Sequence, residues 1–124
     1  KERLLMARAT FDIESREGKI RMFNAKNGSS ISMKDLDNGT LLNAVGVLQY
    51  VDTVDTYGKP QEVTITTIFT SDGNSYASVS DSVAKAGSNL IDLVNDLGLE
   101  EYTVRVIKEI SKGGNEYLNL QLAL

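Results

Sequence analysis

The sequence contains no cysteine, no histidine and no tryptophan, and each absence narrows the possible functions. Without cysteine there is no disulfide framework, no thiol nucleophile and no thiolate metal site. Without histidine the commonest general base and a major class of zinc ligand are also missing. We therefore expect a protein that is not an enzyme and that uses no cofactor and no metal.

Positive charge is also scarce, with 13 Lys and Arg against 17 Asp and Glu and a formal net charge of −4. This balance argues against a protein held to nucleic acid mainly by charge. The distribution is uneven, because residues 1–34 carry eight basic and four acidic side chains and the remainder carries five and thirteen. The surplus near the N-terminal end fits either a solvated face or a set of phosphate contacts.

Long apolar runs are absent as well. No stretch reaches the roughly 20 apolar residues of a membrane-spanning helix, so we expect no membrane contact. The 124 residues suit one domain.

The centre of the sequence predicts a β-meander. Leu41–Val51 is typical of one long strand, and Gly46 inside it predicts a bend or bulge. Glu62–Thr70 predicts a return strand, and Ser75–Ala77 a short third one. We expect one face of this meander to present tyrosines to a ligand.

The last third of the sequence predicts a helix and a hairpin. Ser80–Leu97 has apolar residues at helical spacing, a serine that can cap its start, and Gly98 to end it. We expect this helix to plug a barrel. Tyr102–Ile110 and Glu116–Leu124 are predicted as the two strands of a final hairpin.

The first 34 residues predict a second hairpin. Ala7–Ile13 alternates with period two, Ser15–Gly18 is typical of a turn, and Lys19–Asn24 is interpreted as a return strand. The inner face of this hairpin would hold Ala9, Phe11, Ile13, Ile20 and Met22.

These elements predict an all-β domain with one helix, an OB-fold-like five-stranded barrel with an N-terminal β-hairpin. Residues 1–34 would form the hairpin and a loop, and residues 40–124 the barrel core, within a single domain of residues 1–124. Two strand assignments stay open. Either the hairpin is an addition to the barrel, or it supplies the first barrel strand and Ser75–Ala77 only leads into the helix.

Tyrosines are the strongest candidate binding residues. Tyr50, Tyr57 and Tyr76 fall in or beside the meander, and Tyr102 and Tyr117 are less favoured. Stacking a base on an aromatic ring contributes about 1–3 kcal/mol and tolerates any base, so three rings could bind without much positive charge. The alternative for each is a half-buried ring with its hydroxyl in water.

Basic residues supply candidate phosphate contacts. Arg8, Lys19 and Arg21 would share the outer face of the N-terminal hairpin with Phe23, and Lys26 follows. Phe23 would either stack a base or cover a neighbouring loop. If the phosphates are bound elsewhere, the candidates are Lys59, Arg105, Lys108 and Lys112.

Several stretches carry a family likeness. The sequence resembles the single-stranded DNA-binding proteins of the small Bacillus phages that replicate by protein priming, the phi-29 group. The most specific matches are Asp55–Gly58 and Thr66–Phe69, and Lys1–Leu5 departs from the family pattern. Further matching stretches are Ala9-Thr10-Phe11-Asp12, Phe23-Asn24-Ala25, Gly39-Thr40, Gln49-Tyr50, Asp72-Gly73, Leu90-Ile91-Asp92-Leu93-Val94 and Leu120-Gln121-Leu122.

The resemblance implies a sequence-nonspecific protein that coats and protects the single strand displaced during phage DNA replication. It implies single-stranded DNA and the phage replication machinery as partners, in the host cell cytoplasm. Site size, cooperativity and oligomeric state stay open. The alternative is an OB-type module that binds a protein or an oligosaccharide, which the acidic charge favours.

Overall fold

Seven strands and two helices are found in residues 7–28 and 30–123, the part of the chain that the computed structural model describes. The departure at Lys1–Leu5 and the predicted place of Leu124 lie outside it. In chain order the elements are β1 (Ala7–Ala9), α1 (Arg16–Lys26), β2 (Ile31–Ser32), a 3₁₀ turn (Met33–Asp35), β3 (Thr40–Thr56), β4 (Lys59–Thr70), β5 (Ser75–Ser78), α2 (Asp81–Leu97), β6 (Tyr102–Ile110) and β7 (Glu116–Ala123).

The strands form one curled, mixed sheet, a half-barrel in the order β2-β5-β4-β3-β6-β7. The pairing is antiparallel except between β2 and β5, and β1 pairs with β3. β3 reaches both halves of the sheet, because Thr40–Ala44 pairs with β6 and the following stretch, beyond a register shift between Ala44 and Gly46, pairs along β4. This irregularity lies at the predicted bend.

One side of the sheet, the core face, is covered by α2. It includes Val47 and Ile68, which lie opposite each other on β3 and β4 and are fully buried. The predicted helix is confirmed with its caps: the Ser80 hydroxyl accepts a hydrogen bond from the Val83 amide, and Gly98 takes a left-handed conformation. The helix contributes Val83, Leu90, Ile91 and Val94 to the core.

The other side, the groove face, is covered by α1, and Ala7 and Ala9 of the neighbouring strand β1 pack at its edge. Leu48 and Tyr50 on β3 and Phe69 on β4 form its buried centre together with Ala25. Ile65 lies opposite Tyr50 and packs against them. This second apolar layer is smaller than the core and leaves open grooves beside it.

The predicted return strand of the N-terminal hairpin is wrong, because that segment is helix α1. The Ser15 hydroxyl caps it by accepting a hydrogen bond from the Gly18 amide at 3.0 Å. Glu17 lies in the first turn and forms an ion pair with Arg21 at 3.1 Å. These local interactions favour the helix over the strand that the alternation had indicated.

The buried side of α1 consists mainly of small residues at helical spacing. Gly18 and Ala25 are buried and Met22 is half-buried, whereas Ile20, predicted to face inward, is exposed. A Cβ atom on Gly18 would lie 2.0 Å from the Asp12 carbonyl oxygen, so only glycine allows this close approach. The protein is therefore mostly β with two helices rather than one.

The two strand assignments left open are also resolved. β5 is a true strand, since Tyr76 pairs with Ile68 on β4 and with Ile31 on β2. The N-terminal segment contributes β1 and β2 to the same sheet, through their pairing with β3 and β5. No helix of the described residues is long and apolar enough to cross a membrane.

Candidate nucleic-acid interface

Tyr50 lies at the centre of the groove face. Its side chain is only 4% exposed, and its hydroxyl donates a long hydrogen bond of 3.4 Å to the Ala25 carbonyl oxygen. The Lys26 ammonium lies 5.6 Å from the ring centroid, over the aromatic face. Burial, and to a smaller extent the Asp52 carboxylate, raise the pKa of the Tyr50 phenol, so the ring is neutral at physiological pH.

Two open grooves meet at this tyrosine. The α1 groove, about 540 Å³, runs between α1 and the β3–β4 hairpin, and the central groove, about 530 Å³, runs across β4 and β5. Both are lined by Lys26, Tyr50 and Asp52, so they form one continuous surface depression. Together they offer a path for an extended ligand.

The two grooves differ in charge. The α1 groove has two lysines, Lys19 and Lys26, and three carboxylates. The central groove has Lys26 and Lys34 against the single carboxylate of Asp52. Its floor is formed by Tyr50, Ile65 and Ala77, which come from three neighbouring strands. The central groove is therefore better suited to a phosphate chain.

Tyr57 lies at the tip of the β3–β4 hairpin, just beyond the end of β3, the strand that carries Tyr50. Thr56 pairs with Lys59, so Tyr57 and Gly58 form a two-residue turn with φ angles of +53° and +78°. The Tyr57 side chain is 100% exposed and so packs against none of the described residues. Its backbone is in the left-handed conformation, which is unfavourable for a residue with a Cβ atom. Neither packing nor backbone preference explains a tyrosine at this position.

Tyr76 lies on the opposite side of the sheet from Tyr50. It pairs with Ile68 on the core face and packs, partly buried, against the core. Tyr50 pairs with Ile65 on the groove face. The predicted single face that presents Tyr50, Tyr57 and Tyr76 together is therefore wrong, because the pairing registers place the first and third on opposite faces.

Arg8, Lys19 and Arg21 were predicted to share one face of an N-terminal hairpin. That prediction is wrong, because Lys19 and Arg21 lie on helix α1 and not on a strand. Arg8 is on β1 and is bound by Asp92 and Ser88 of α2. The Arg21 guanidinium lies 4.9 Å from the Phe11 ring centroid and 5.6 Å from that of Phe69. Arg8 and Arg21 therefore have structural partners already.

Phe23 is 66% exposed on α1 and does not line the α1 groove or the central groove. Lys19 lines the α1 groove, and Lys26 lines both grooves. Of the predicted residues, the structure brings together Tyr50, Lys19 and Lys26, and it places Tyr57 at the end of the same hairpin.

Sequence reasoning missed Lys34 and two of the three floor residues, Ile65 and Ala77. Lys34 lies in the 3₁₀ turn and lines the central groove. Ile65 and Ala77 carry no signal of binding by residue type, and only the pairing register places them beside Tyr50. Lys34 could have been suspected as the last basic residue of the N-terminal surplus.

The sequence is also similar to those of known proteins. The family described as phage single-stranded DNA-binding protein matches residues 2–123. The chain belongs to this family. A protein of Bacillus phage PZA and one of Bacillus phage phi29, each named single-stranded DNA-binding protein, are 45% identical over 119 residues, covering 96% of this chain and 96% of each relative.

A further relative with the same name, from Bacillus phage B103, is 43% identical over 115 residues, covering 93% of this chain and 94% of its own length. The family match over residues 2–123 includes every segment that forms the sheet, both grooves and the exposed hairpin. No solved structure matches the chain significantly.

Proposed function

We propose that this protein binds single-stranded DNA without sequence preference and coats the strand displaced during phage DNA replication, and that it is not an enzyme. The observation that carries the proposal is Tyr57, a fully exposed aromatic ring held in an unfavourable backbone conformation at a hairpin tip. Such an outlier indicates a functional constraint. A flat, exposed ring suits base stacking, which every base can make.

The arrangement of strands supports an OB-type barrel as the binding scaffold. β3, β4 and β5 form its meander, α2 follows the third strand, and β6 and β7 complete the five. OB barrels bind oligonucleotides on the face of strands two and three and in the loops between strands one and two and between strands four and five. Here these are the β4–β5 face, the Tyr57 turn and the Ser111–Asn115 turn.

The central groove is the proposed path for the strand. Its apolar floor of Tyr50, Ile65 and Ala77 accepts bases, and Lys26 and Lys34 on its sides accept phosphates. Lys19 extends the positive charge into the α1 groove. Tyr76, Arg8, Arg21 and Phe23 would act indirectly or through a rearrangement, because their rings and charges are engaged or face elsewhere.

Lys26 would change partners on binding. In the free protein its ammonium covers the Tyr50 ring, a contact worth about 0.5–2 kcal/mol. A stacked base contributes about 1–3 kcal/mol at the same ring face. When a base stacks on the Tyr50 ring, the flexible Lys26 side chain can turn to a neighbouring phosphate of the strand. The ring then contacts the base instead of the ammonium, and the ammonium forms a new contact with the phosphate.

A competition measurement tests the proposal. A labelled single strand bound to the protein is challenged with the same unlabelled strand, with its duplex and with an oligosaccharide. We expect strong competition by the strand and weak competition by the other two, because a duplex hides the base faces that stacking needs. Equal competition by the duplex would refute the stacking mechanism, and displacement by the oligosaccharide would favour the alternative OB module.

A further inference from the structure

The groove face has a third groove, on the other flank of α1 from Lys19 and Lys26. This Arg21 groove, about 480 Å³, is lined by Arg21 of α1, by Phe69 of β4 and by residues of the turn between β4 and β5. Among its described lining residues Arg21 is the one charged side chain. The α1 groove and the central groove both include the carboxylate of Asp52, so the Arg21 groove differs from them in charge.

The Arg21 groove adjoins the central groove. Ser75 lines the first and Ser30 lines the second, and their hydroxyl groups share a hydrogen bond of 2.8 Å. Phe69 belongs to the same buried cluster as Tyr50, which forms part of the floor of the central groove. A strand that leaves the central groove across this serine contact therefore enters the Arg21 groove.

Two aromatic rings hold the Arg21 guanidinium in place. It lies 4.9 Å from the Phe11 ring centroid and 5.6 Å from that of Phe69, and the two rings meet edge to face with their centroids 5.8 Å apart. Gly46 leaves room for this arrangement, because a Cβ atom there would lie 3.0 Å from a guanidinium nitrogen of Arg21. A cation–π contact needs none of the five N–H donors of an arginine. The position of the guanidinium therefore does not depend on a hydrogen-bonded anion.

The anion that Arg21 binds in the free protein is the carboxylate of Glu17. The two groups lie 3.1 Å apart on neighbouring turns of α1, and the Glu17 side chain is 77% exposed. An exposed ion pair at this spacing is weak. A DNA phosphate presents charged oxygens to an arginine fork in the same way as a carboxylate does. A phosphate can therefore replace Glu17 without moving the guanidinium that Phe11 and Phe69 hold.

We propose that the Arg21 groove is a second binding segment for single-stranded DNA, in which Arg21 exchanges the Glu17 carboxylate for a phosphate of the strand. The inference rests on the proposed function and deepens it, because the strand then crosses from the central groove to the far flank of α1. Arg21 is a phosphate-binding residue that two phenylalanines hold ready. Glu17 competes with the strand for it and weakens binding.

A double-mutant cycle tests the exchange with an oligothymidylate of about sixteen nucleotides, the upper limit of site size for one OB fold. Arg21→Gln should weaken binding about fivefold or more and flatten the log–log salt slope by about 0.7, the loss of one phosphate contact. Glu17→Gln removes the competing carboxylate and should tighten binding about twofold. In the double variant this gain should vanish, because no arginine is left for which Glu17 competes.

Two controls accompany the cycle. Asp96→Asn removes a carboxylate from the exposed side of α2, on the opposite side of the sheet, and should leave the affinity nearly unchanged. Thermal melting checks that each variant is folded. If Arg21→Gln does not fold, Glu17→Gln decides alone, and a gain no larger than that of Asp96→Asn would contradict the exchange.

The other outcomes separate the exchange from the proposed function. An equal gain from Glu17→Gln with and without Arg21 would show that Glu17 only repels the strand at a distance, and would overturn the exchange. Unchanged affinity and salt slope in folded Arg21→Gln would remove the Arg21 groove from the path and leave the central groove as proposed. A wild type that does not bind the strand at all would refute the proposed function itself.

Discussion

The two faces of the sheet are covered in different ways. The core face is covered by α2, whose buried residues Val83, Leu90, Ile91 and Val94 belong to the same core as the fully buried Val47 and Ile68. The groove face is covered by α1, which contributes Met22 and the small residue Ala25 and leaves lysines beside open grooves. We therefore expect substitutions on the core face to change mainly the stability of the fold and substitutions on the groove face to change mainly binding.

We expect the largest effect on stability from a substitution in the core face. Ile91 on α2 is buried in the core, and its replacement by alanine removes apolar contacts and leaves a cavity. We expect Ile91→Ala to lower the free energy of unfolding by about 2–5 kcal/mol, measured by denaturant titration. Leu93→Ala is the matched control, because Leu93 is exposed on the same helix and should cost little. Similar losses for both would contradict the described orientation of α2.

A smaller effect on stability, with a clear effect on binding, is expected from the groove face. In Gly18→Ala the new Cβ would meet the backbone of Asp12, which no side-chain rotation can relieve, so α1 must shift. We expect a loss of about 1–3 kcal/mol in stability and weaker binding to single strands, because Lys19 and Lys26 move with the helix. Arg16→Ala, at the exposed start of α1, is the control. Unchanged affinity in Gly18→Ala would mean that α1 does not position the site.

The same comparison explains what the sequence could predict. The predicted helix α2 and the predicted strand β7, as far as Ala123, are confirmed, because α2 buries an apolar stripe and β7 packs Leu118, Leu120 and Leu122 against the core from alternate positions. The buried side of α1 is formed by Gly18, Met22 and Ala25, which contribute little apolar area, so the alternation of Ile20 and Met22 suggested a strand instead. A helix that only partly covers a face leaves a weak periodic signal.

The site was harder to predict because it depends on register. A two-residue turn at Tyr57 pairs Tyr50 with Ile65, and the Ser71–Asn74 turn pairs Tyr76 with Ile68. These two registers put the tyrosines on opposite faces, since neighbouring residues of a strand alternate in direction. The residue types indicated aromatic binding, but only strand pairing determines which rings share a surface with which lysines.

Tyr57 allows a test in which binding and stability change in different directions. Asparagine tolerates the left-handed conformation better than tyrosine does, so Tyr57→Asn should leave stability unchanged or raise it by up to about 1 kcal/mol. The loss of a stacked base should weaken binding about fivefold or more. Thermal melting and strand titration measure the two. As a control, Tyr57→Phe keeps the aromatic ring and should bind single strands with the wild-type affinity. Equally tight binding by Tyr57→Asn would show that the hairpin tip is not part of the interface.

The smallest expected effect concerns alkaline pH and the Tyr50 phenol. Burial, and then the Asp52 carboxylate, raise its pKa in the folded protein above the ordinary value of about 10. The folded state therefore binds the proton more tightly than the unfolded state, and this contribution to stability is fully present below about pH 10 and is lost as the pH rises through the folded pKa. Tyr50→Phe has no proton to lose, so its stability should fall less steeply above about pH 10 than that of the wild type.

Asp52→Asn removes only the second cause of the shift and should give a smaller change in the same direction. Part of the alkaline loss should persist in both variants, because burial also raises the pKa of Tyr102 on the core face. Denaturant titrations between neutral pH and about pH 11, with tyrosinate absorbance recorded in parallel, measure these differences. If the free energy of unfolding falls equally with pH in Tyr50→Phe and in the wild type, the Tyr50 ring is more open to water than its place beneath Lys26 indicates. The proposed replacement of Lys26 by a base at this ring would then lose its physical basis.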